Sequence, residues 1–153
     1  MTEQAFIYLF RVRYAECDPQ GVVFNGRYVE YADVAFTEYI RTLFGGYQQV
    51  LELGVDFQVV NLNVAWKSPA RADDVLRARV WTEKIGNTSV NLKMTLCHHE
   101  SGRHIADIDL IYVVVTPSEY TKMPVPDSVR ETLLLGAPNV VINHAGEIGE
   151  SHN

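Results

Sequence analysis

The 153-residue chain has no histidine before His98, only two cysteines, and no apolar run long enough to span a bilayer. Each shortage excludes something. A membrane helix needs about 20 consecutive apolar residues, so no span is expected. The opening MTEQAFIYLFRVRY carries an apolar stretch but neither a basic leader nor a small-residue cleavage site, so a secretory signal is not expected. Cys17 and Cys97 are too few for a disulfide framework and match no zinc spacing, so two reduced thiols in a cytoplasmic protein are expected. Positive charge is also short. Thirteen Lys and Arg stand against nineteen Asp and Glu, a formal charge of −6. A nucleic-acid binder needs a basic face to neutralise phosphates, so that class drops out. A small anionic ligand stays possible, because a few local cations can hold one. No internal repeat or low-complexity stretch is present.

What is present is a hydrophobic content of 47% with 21% charged residues, the balance of one globular domain. Phe6, Tyr8, Phe10, Val12 and Tyr14 share one parity, the period-2 pattern of a half-buried strand. After Asn25 the period changes. Val29, Ala32, Phe36, Tyr39, Ile40 and Leu43 form one apolar helical stripe, with Asn25 as its expected N-cap and Gly45-Gly46 as its stop. A short second helix is expected over 47–53, then strands over 55–66, 75–83, 90–96 and 105–115. The parity of the first of these slips at Val59-Val60, which predicts a bulge. Gly86-Asn87 and Ser101-Gly102 mark hairpins. A last helix is expected over 129–135, and residues 136–153 form a tail expected to be loosely held outside a domain of 1–135. The order is α+β: a five-stranded antiparallel sheet with one long helix to cover its apolar face.

The chemistry concentrates in Tyr14-Ala-Glu-Cys-Asp18-Pro-Gln-Gly21-Val22-Val-Phe24-Asn25-Gly-Arg-Tyr28. An acid sits in a breaker-rich loop between a strand and a helix start. The first turn of a helix offers unpaired N–H groups that stabilise an anion or a developing oxyanion. A carboxylate just upstream is a candidate base or nucleophile. The plainer alternative is that Asp18 only caps its own turn, as Asp in loops usually does.

The loop run Glu16-Cys-Asp-Pro-Gln-Gly-Val-Val-Phe24 with Tyr28 resembles the active-site segment of hotdog-fold acyl-CoA thioesterases of the 4-hydroxybenzoyl-CoA thioesterase type. Leu62-Asn-Val-Ala-Trp66, Pro69-Ala-Arg71 with Asp73-Asp74, and the strand ending at Val115 continue the likeness, over roughly residues 5–130. The resemblance implies a hotdog fold, a sheet wrapped around one central helix. It implies an Asp18 that acts as nucleophile or general base, and a backbone N–H at Asn25 that polarises the thioester carbonyl. It implies a substrate pocket drawn from Tyr14, Gly21, Val22, Phe24, Tyr28 and Glu30, with no metal and no cofactor. It also implies sheets paired edge to edge in a homodimer at minimum, extending to a tetramer as a dimer of dimers. Glu30 is the rival carboxylate, with a solvated helix acid as its plainer reading. Arg71, Lys84 and Arg103 are candidates for coenzyme A phosphates, though each also reads as an ordinary surface charge. His98, His99 and His104 flank a turn and do not converge as metal ligands, since neighbouring residues of a strand face opposite ways. The alternatives are a hotdog hydratase or dehydratase, weakened by the lack of an early histidine, and a non-catalytic acyl-CoA-binding protein.

Overall fold

The computed structural model describes residues 5–148; residues 1–4 and the end of the expected tail, 149–153, lie outside the described residues. The chain runs β1 (Phe6–Arg11), α1 (Arg27–Phe44), α2 (Tyr47–Glu52), β2 (Asp56–Trp66), β3 (Val75–Ile85), β4 (Ser89–His98), β5 (His104–Val115), α3 (Asp127–Leu135) and β6 (Val141–Asn143). The strands form one sheet in the order β2-β5-β4-β3-β1-β6, antiparallel except where β6 runs parallel to β1. This is the hotdog arrangement, with six strands instead of five.

The alternating pattern works as expected. Leu76, Ala78 and Val80 on β3, and Leu92, Met94 and Leu96 on β4, are buried under α1, which contributes Tyr28, Tyr31, Ala32, Ala35, Tyr39 and Ile40 to the same core. The slip in β2 is a register shift between Val59 and Asn61 against β5. A one-residue slip exchanges the faces of a strand, and the bulge returns Leu62 and Val64 to the core side, where they pack against it. Gly45 closes α1 at φ +98°, a conformation that costs glycine least. Among the described residues no helix is long and apolar enough to cross a membrane.

Three local expectations are corrected. The N-cap of α1 is Gly26 and not Asn25, and it makes no side-chain capping bond. The first strand stops at Arg11, and Tyr14 starts a short 3-10 turn, 85% exposed. There the Glu16 carboxylate accepts the Arg13 N–H at 2.7 Å, and that local bond outcompetes continuation of the strand. The tail from Gly136 is not loose over its described part. Val141–Asn143 adds a strand to the β1 edge, the His144 N–H donates to the Leu9 carbonyl at 2.8 Å, and the Arg11 guanidinium donates to the carbonyls of Ala145 and Glu147 at 3.0 and 3.2 Å.

Arg11 therefore ties the tail to the sheet. Arg11→Ala is expected to lower stability by about 1–2 kcal/mol and to abolish amide-exchange protection at Ile142 and His144. Thermal melts with hydrogen exchange read by mass spectrometry check this. Full protection of those amides in the variant would show that β6 holds itself.

Candidate active site

The loop after β1 is held by a small ladder and not left to float. Cys17 bridges Val23, the Asp18 N–H donates to the Val22 carbonyl at 2.8 Å, and the Phe24 N–H donates to the Glu16 carbonyl at 2.9 Å. On its other side the Val23 N–H donates to the Ala70 carbonyl, and Val22 bridges Arg71. Gly21 supplies the φ of +79° that lets the tip reverse. Both expected residue groups, the acid loop and the Arg71 connection, are thus brought together at one end of the sheet.

Asp18 sits on this tip, half-buried. Its Oδ1 accepts the Gln20 N–H at 2.8 Å and its own carbonyl accepts the Gly21 N–H at 2.9 Å. So Asp18 does cap its turn. The bond fixes one oxygen and leaves Oδ2 without a partner among the described residues, so capping and reactivity are compatible. A few residues on, the chain enters α1 with the Asn25 and Gly26 N–H groups unpartnered among the described residues. These are the free donors that a helix start offers to an anion.

The remaining expected residues divide. Tyr28 is buried, packed edge-on against Tyr31 and Trp66 at 5.7 and 6.0 Å between ring centres. Phe24 stands exposed beside the loop. Glu30 is exposed and paired with Arg27 at 3.0 Å, the environment of a solvated helix acid, yet it lines cavities on both flanks of α1. Arg103 lies at the loop end, but its guanidinium is committed to Ser68 Oγ and the Pro69 carbonyl at 2.7 and 2.6 Å. Lys84 is not brought near. It lies nine residues along β3 from Val75, roughly 30 Å away at a strand's rise. Two of the three histidines have local partners: His98 Nδ1 accepts the Ser101 N–H at 3.2 Å, and His104 pairs with Asp107 at 2.8 Å, whereas His99 Nδ1 is buried with no partner among the described residues.

Sequence reasoning missed three features. The Tyr31 hydroxyl donates to Glu16 Oε1 at 3.0 Å, bracing the 3-10 turn on α1. His144 packs edge-on to Tyr8 at 5.2 Å and reaches a cavity of about 800 Å³ that Glu30 also lines. Asp56, at the start of β2, is buried and accepts the Tyr47 hydroxyl at 2.7 Å. Only the last carried a sequence signal, an acid opening an apolar strand.

A six-stranded sheet around one long helix, with an acid-bearing loop leading into the helix start, defines a hotdog domain. The chain belongs to the Thioesterase superfamily, whose family model matches residues 20–103, more than half its length. The match includes Asn25, Tyr28, Glu30 and the three cation candidates, and begins just past Asp18. Among curated relatives, the acyl-CoA thioester hydrolase YbgC of Escherichia coli O6:H1 is 26% identical over 129 residues, 84% of this chain and 96% of that one. A putative esterase of Aquifex aeolicus is 30% identical over 80 residues, 52% of this chain and 62% of that one. Among solved structures, a thioesterase superfamily protein from Jannaschia sp. CCS1 superposes with a TM-score of 0.80 at 21% identity, covering 90% of this chain and 99% of that one.

Burial pushes the phenols of Tyr28, Tyr31, Tyr39 and Tyr112 above their ordinary value of 10.0, and the Glu16 carboxylate adds to the shift at Tyr31. The unfolded chain releases these protons near pH 10.0 while the native chain keeps them. Stability is therefore present below that pH and lost above it. Alkaline titration should show buried tyrosinate absorbance rising together with loss of ellipticity, and Tyr31→Phe should make that loss less steep. Ionisation of all eight tyrosines near pH 10 in a still-folded chain would contradict this.

Proposed function

We propose that this chain hydrolyses the thioester of an acyl-CoA to the free acid and coenzyme A. In this reading Asp18 is the nucleophile or general base, and the Asn25 N–H is the oxyanion donor. The observation that carries it is the pairing, within one short segment, of a carboxylate with one unengaged oxygen and a helix start with unengaged N–H groups. Thioester hydrolysis needs both parts. The negative charge that develops on the carbonyl oxygen is met by donors already in place, and the carbonyl carbon is attacked by the carboxylate or by a water it deprotonates. The activity in the name of the Escherichia coli relative supports the same reading.

The reading includes a second copy. β6 covers the β1 edge, whereas β2 is the outer strand at the other end and exposes Val59, Val60 and Trp66. An uncovered strand edge with exposed apolar residues favours pairing with another strand. Two chains joined along β2 would extend the sheet and lie against the flank of α1, and further pairing of such dimers would give the tetramer. Acyl-CoA chemistry and two free thiols fit a cytoplasmic setting.

Asp18→Asn and Asp18→Ala should each lower kcat by about a hundredfold or more with the fold intact, while Glu30→Gln changes it little. A chromogenic thiol assay over aromatic, short and long acyl-CoAs checks this, and undiminished activity in both Asp18 variants would remove that residue from the chemistry. In a single turnover in labelled water, label in Asp18 marks the nucleophilic route. For the assembly, light scattering should report at least a dimer in the native chain and a monomer in Asn61→Pro, which breaks the β2 edge; a native monomer would remove the partner from the scheme.

A further inference from the structure

Four hydrogen bonds converge on Glu16, which stands two residues before Asp18. Two use its backbone. Its N–H donates to the Arg13 carbonyl at 3.0 Å, and its carbonyl accepts the Phe24 N–H at 2.9 Å. Two use its side chain. Oε1 accepts the Arg13 N–H at 2.7 Å and the Tyr31 hydroxyl at 3.0 Å. Phe24 immediately precedes Asn25. One residue is thus tied to both parts of the proposed chemistry, the acid on one side and the helix-start donor on the other. Cys17, the single residue between Glu16 and Asp18, is extended at φ −97° and ψ 150° and is bridged to Val23. No loose turn separates the gripped residue from the acid, so a shift of Glu16 carries Asp18 with it.

The Tyr31 bond has no equivalent nearby. Among the described residues it is the one side-chain hydrogen bond from the loop, 12–26, to the body of α1. Its anchor is firm, since the Tyr31 ring is buried between Phe10 at 4.7 Å and Tyr28 at 5.7 Å. A hydrogen bond to an ionised acceptor is also stronger than one between neutral groups. The reaction makes such a grip matter. Attack on a carbonyl needs the reacting atoms held within about 3–3.5 Å and aligned, and a misplacement of about 1 Å can cost about a hundredfold in rate.

We infer that Glu16 is a positioning residue: through its side chain on Tyr31 and its carbonyl on Phe24 it holds the Asp18 carboxylate and the Asn25 N–H at a fixed separation, so that both reach one thioester carbonyl. The inference rests on the thioesterase reading, which supplies the reaction. It gives Glu16 a role of shape and not of charge. Both side-chain bonds end on Oε1, and the amide oxygen of a glutamine offers the same two acceptor positions.

The test measures kcat and KM with benzoyl-CoA, butyryl-CoA and dodecanoyl-CoA, with a thermal melt of every variant to keep the assay below unfolding. Glu16→Ala and Tyr31→Phe should each lower kcat by about tenfold or more while KM moves little. The double variant should lose no more than Glu16→Ala alone, because both changes break one bond. Glu16→Gln should keep most of the native kcat. Tyr39→Phe is the control for stability. It removes a comparable bond, to Thr82 at 2.9 Å, eight residues further along α1, and should leave kcat unchanged. Tyr31→Phe and Glu16→Gln keep the test decisive if Glu16→Ala does not fold. Native kcat in Tyr31→Phe would overturn the inference and leave thioester hydrolysis standing. A collapse in Glu16→Gln would assign Glu16 a direct chemical role and overturn it too, as would an equal loss in Tyr39→Phe, which would mark the effect as one of stability. Absence of hydrolysis in the native chain, seen before any variant is made, would remove the thioesterase reading and with it the reaction this grip serves.

Discussion

One helix has to cover one face of an entire sheet, and most of the molecule follows from that constraint. Where α1 crosses the sheet it carries Ala32 and Ala35, both fully buried, because only small side chains let the two backbones approach closely. Its flanks carry rings that reach outward. Tyr31 meets Phe10 at 4.7 Å and Tyr39 meets Phe6 at 5.5 Å on the β1 side, while Phe36 stacks on Tyr112 on the β5 side. Aromatic braces on both flanks fix the helix against rolling. Tyr39 adds a hydrogen bond to Thr82 at 2.9 Å near the far end.

A helix held this firmly also fixes where its first turn lies, and the loop before it inherits that position. The segment between Arg11 and Arg27 ties itself to three neighbours: the 3-10 turn through Glu16 and Tyr31, the Ala70-Arg71 connection through Val22 and Val23, and its own tip through Asp18. Backbone donors at the helix start are among those this pairing leaves open, together with the N–H groups of Tyr14, Ala15 and Val22. Most buried backbone polar groups in a folded chain find partners, and the N–H groups of Asn25 and Gly26, unpartnered among the described residues, lie where the reacting carbonyl is proposed to sit.

How much of this was legible in the sequence depends on the range of the interaction. Strand parity, the β2 bulge and the glycine stop of α1 are local, and the sequence carries them in the periods of a few residues. The N-cap was misplaced by one residue because Asn25 has the better side chain for the role, while the cap that forms uses none. β6 was missed because three residues in a Gly- and Asn-rich tail make no period; its order comes from Arg11 and the free β1 edge, more than 130 residues away in sequence. Lys84 looked as suitable as Arg71 for a phosphate because residue type does not encode distance along a strand. The Asp18 loop, by contrast, follows its local residues: Gly21 gives the reversed tip, and Val22 and Val23 form the ladder that holds the acid in place.

The acidic net charge acquires a geometry. Arg11, Arg13, Arg71 and Arg103 lie around the end of β1 among the acids Glu16, Asp73 and Asp74, whereas Asp33 and Asp56 line cavities on the β2 flank of α1. Two of the four cations are already engaged, Arg11 with the tail and Arg103 with the Ser68-Pro69 connection. Arg13 and Arg71 are exposed, and their guanidinium groups have no ion-pair partner among the described residues. A thioester of coenzyme A is strongly anionic at one end and uncharged at the other. The two unpaired guanidinium groups, Arg13 and Arg71, are the cations of that end free to meet such an anion. The same arrangement makes the reversed orientation, phosphates against Asp33 and Asp56, unfavourable by like-charge repulsion. Direction of entry would then follow from where the unpaired cations lie, and not from the net charge of either end.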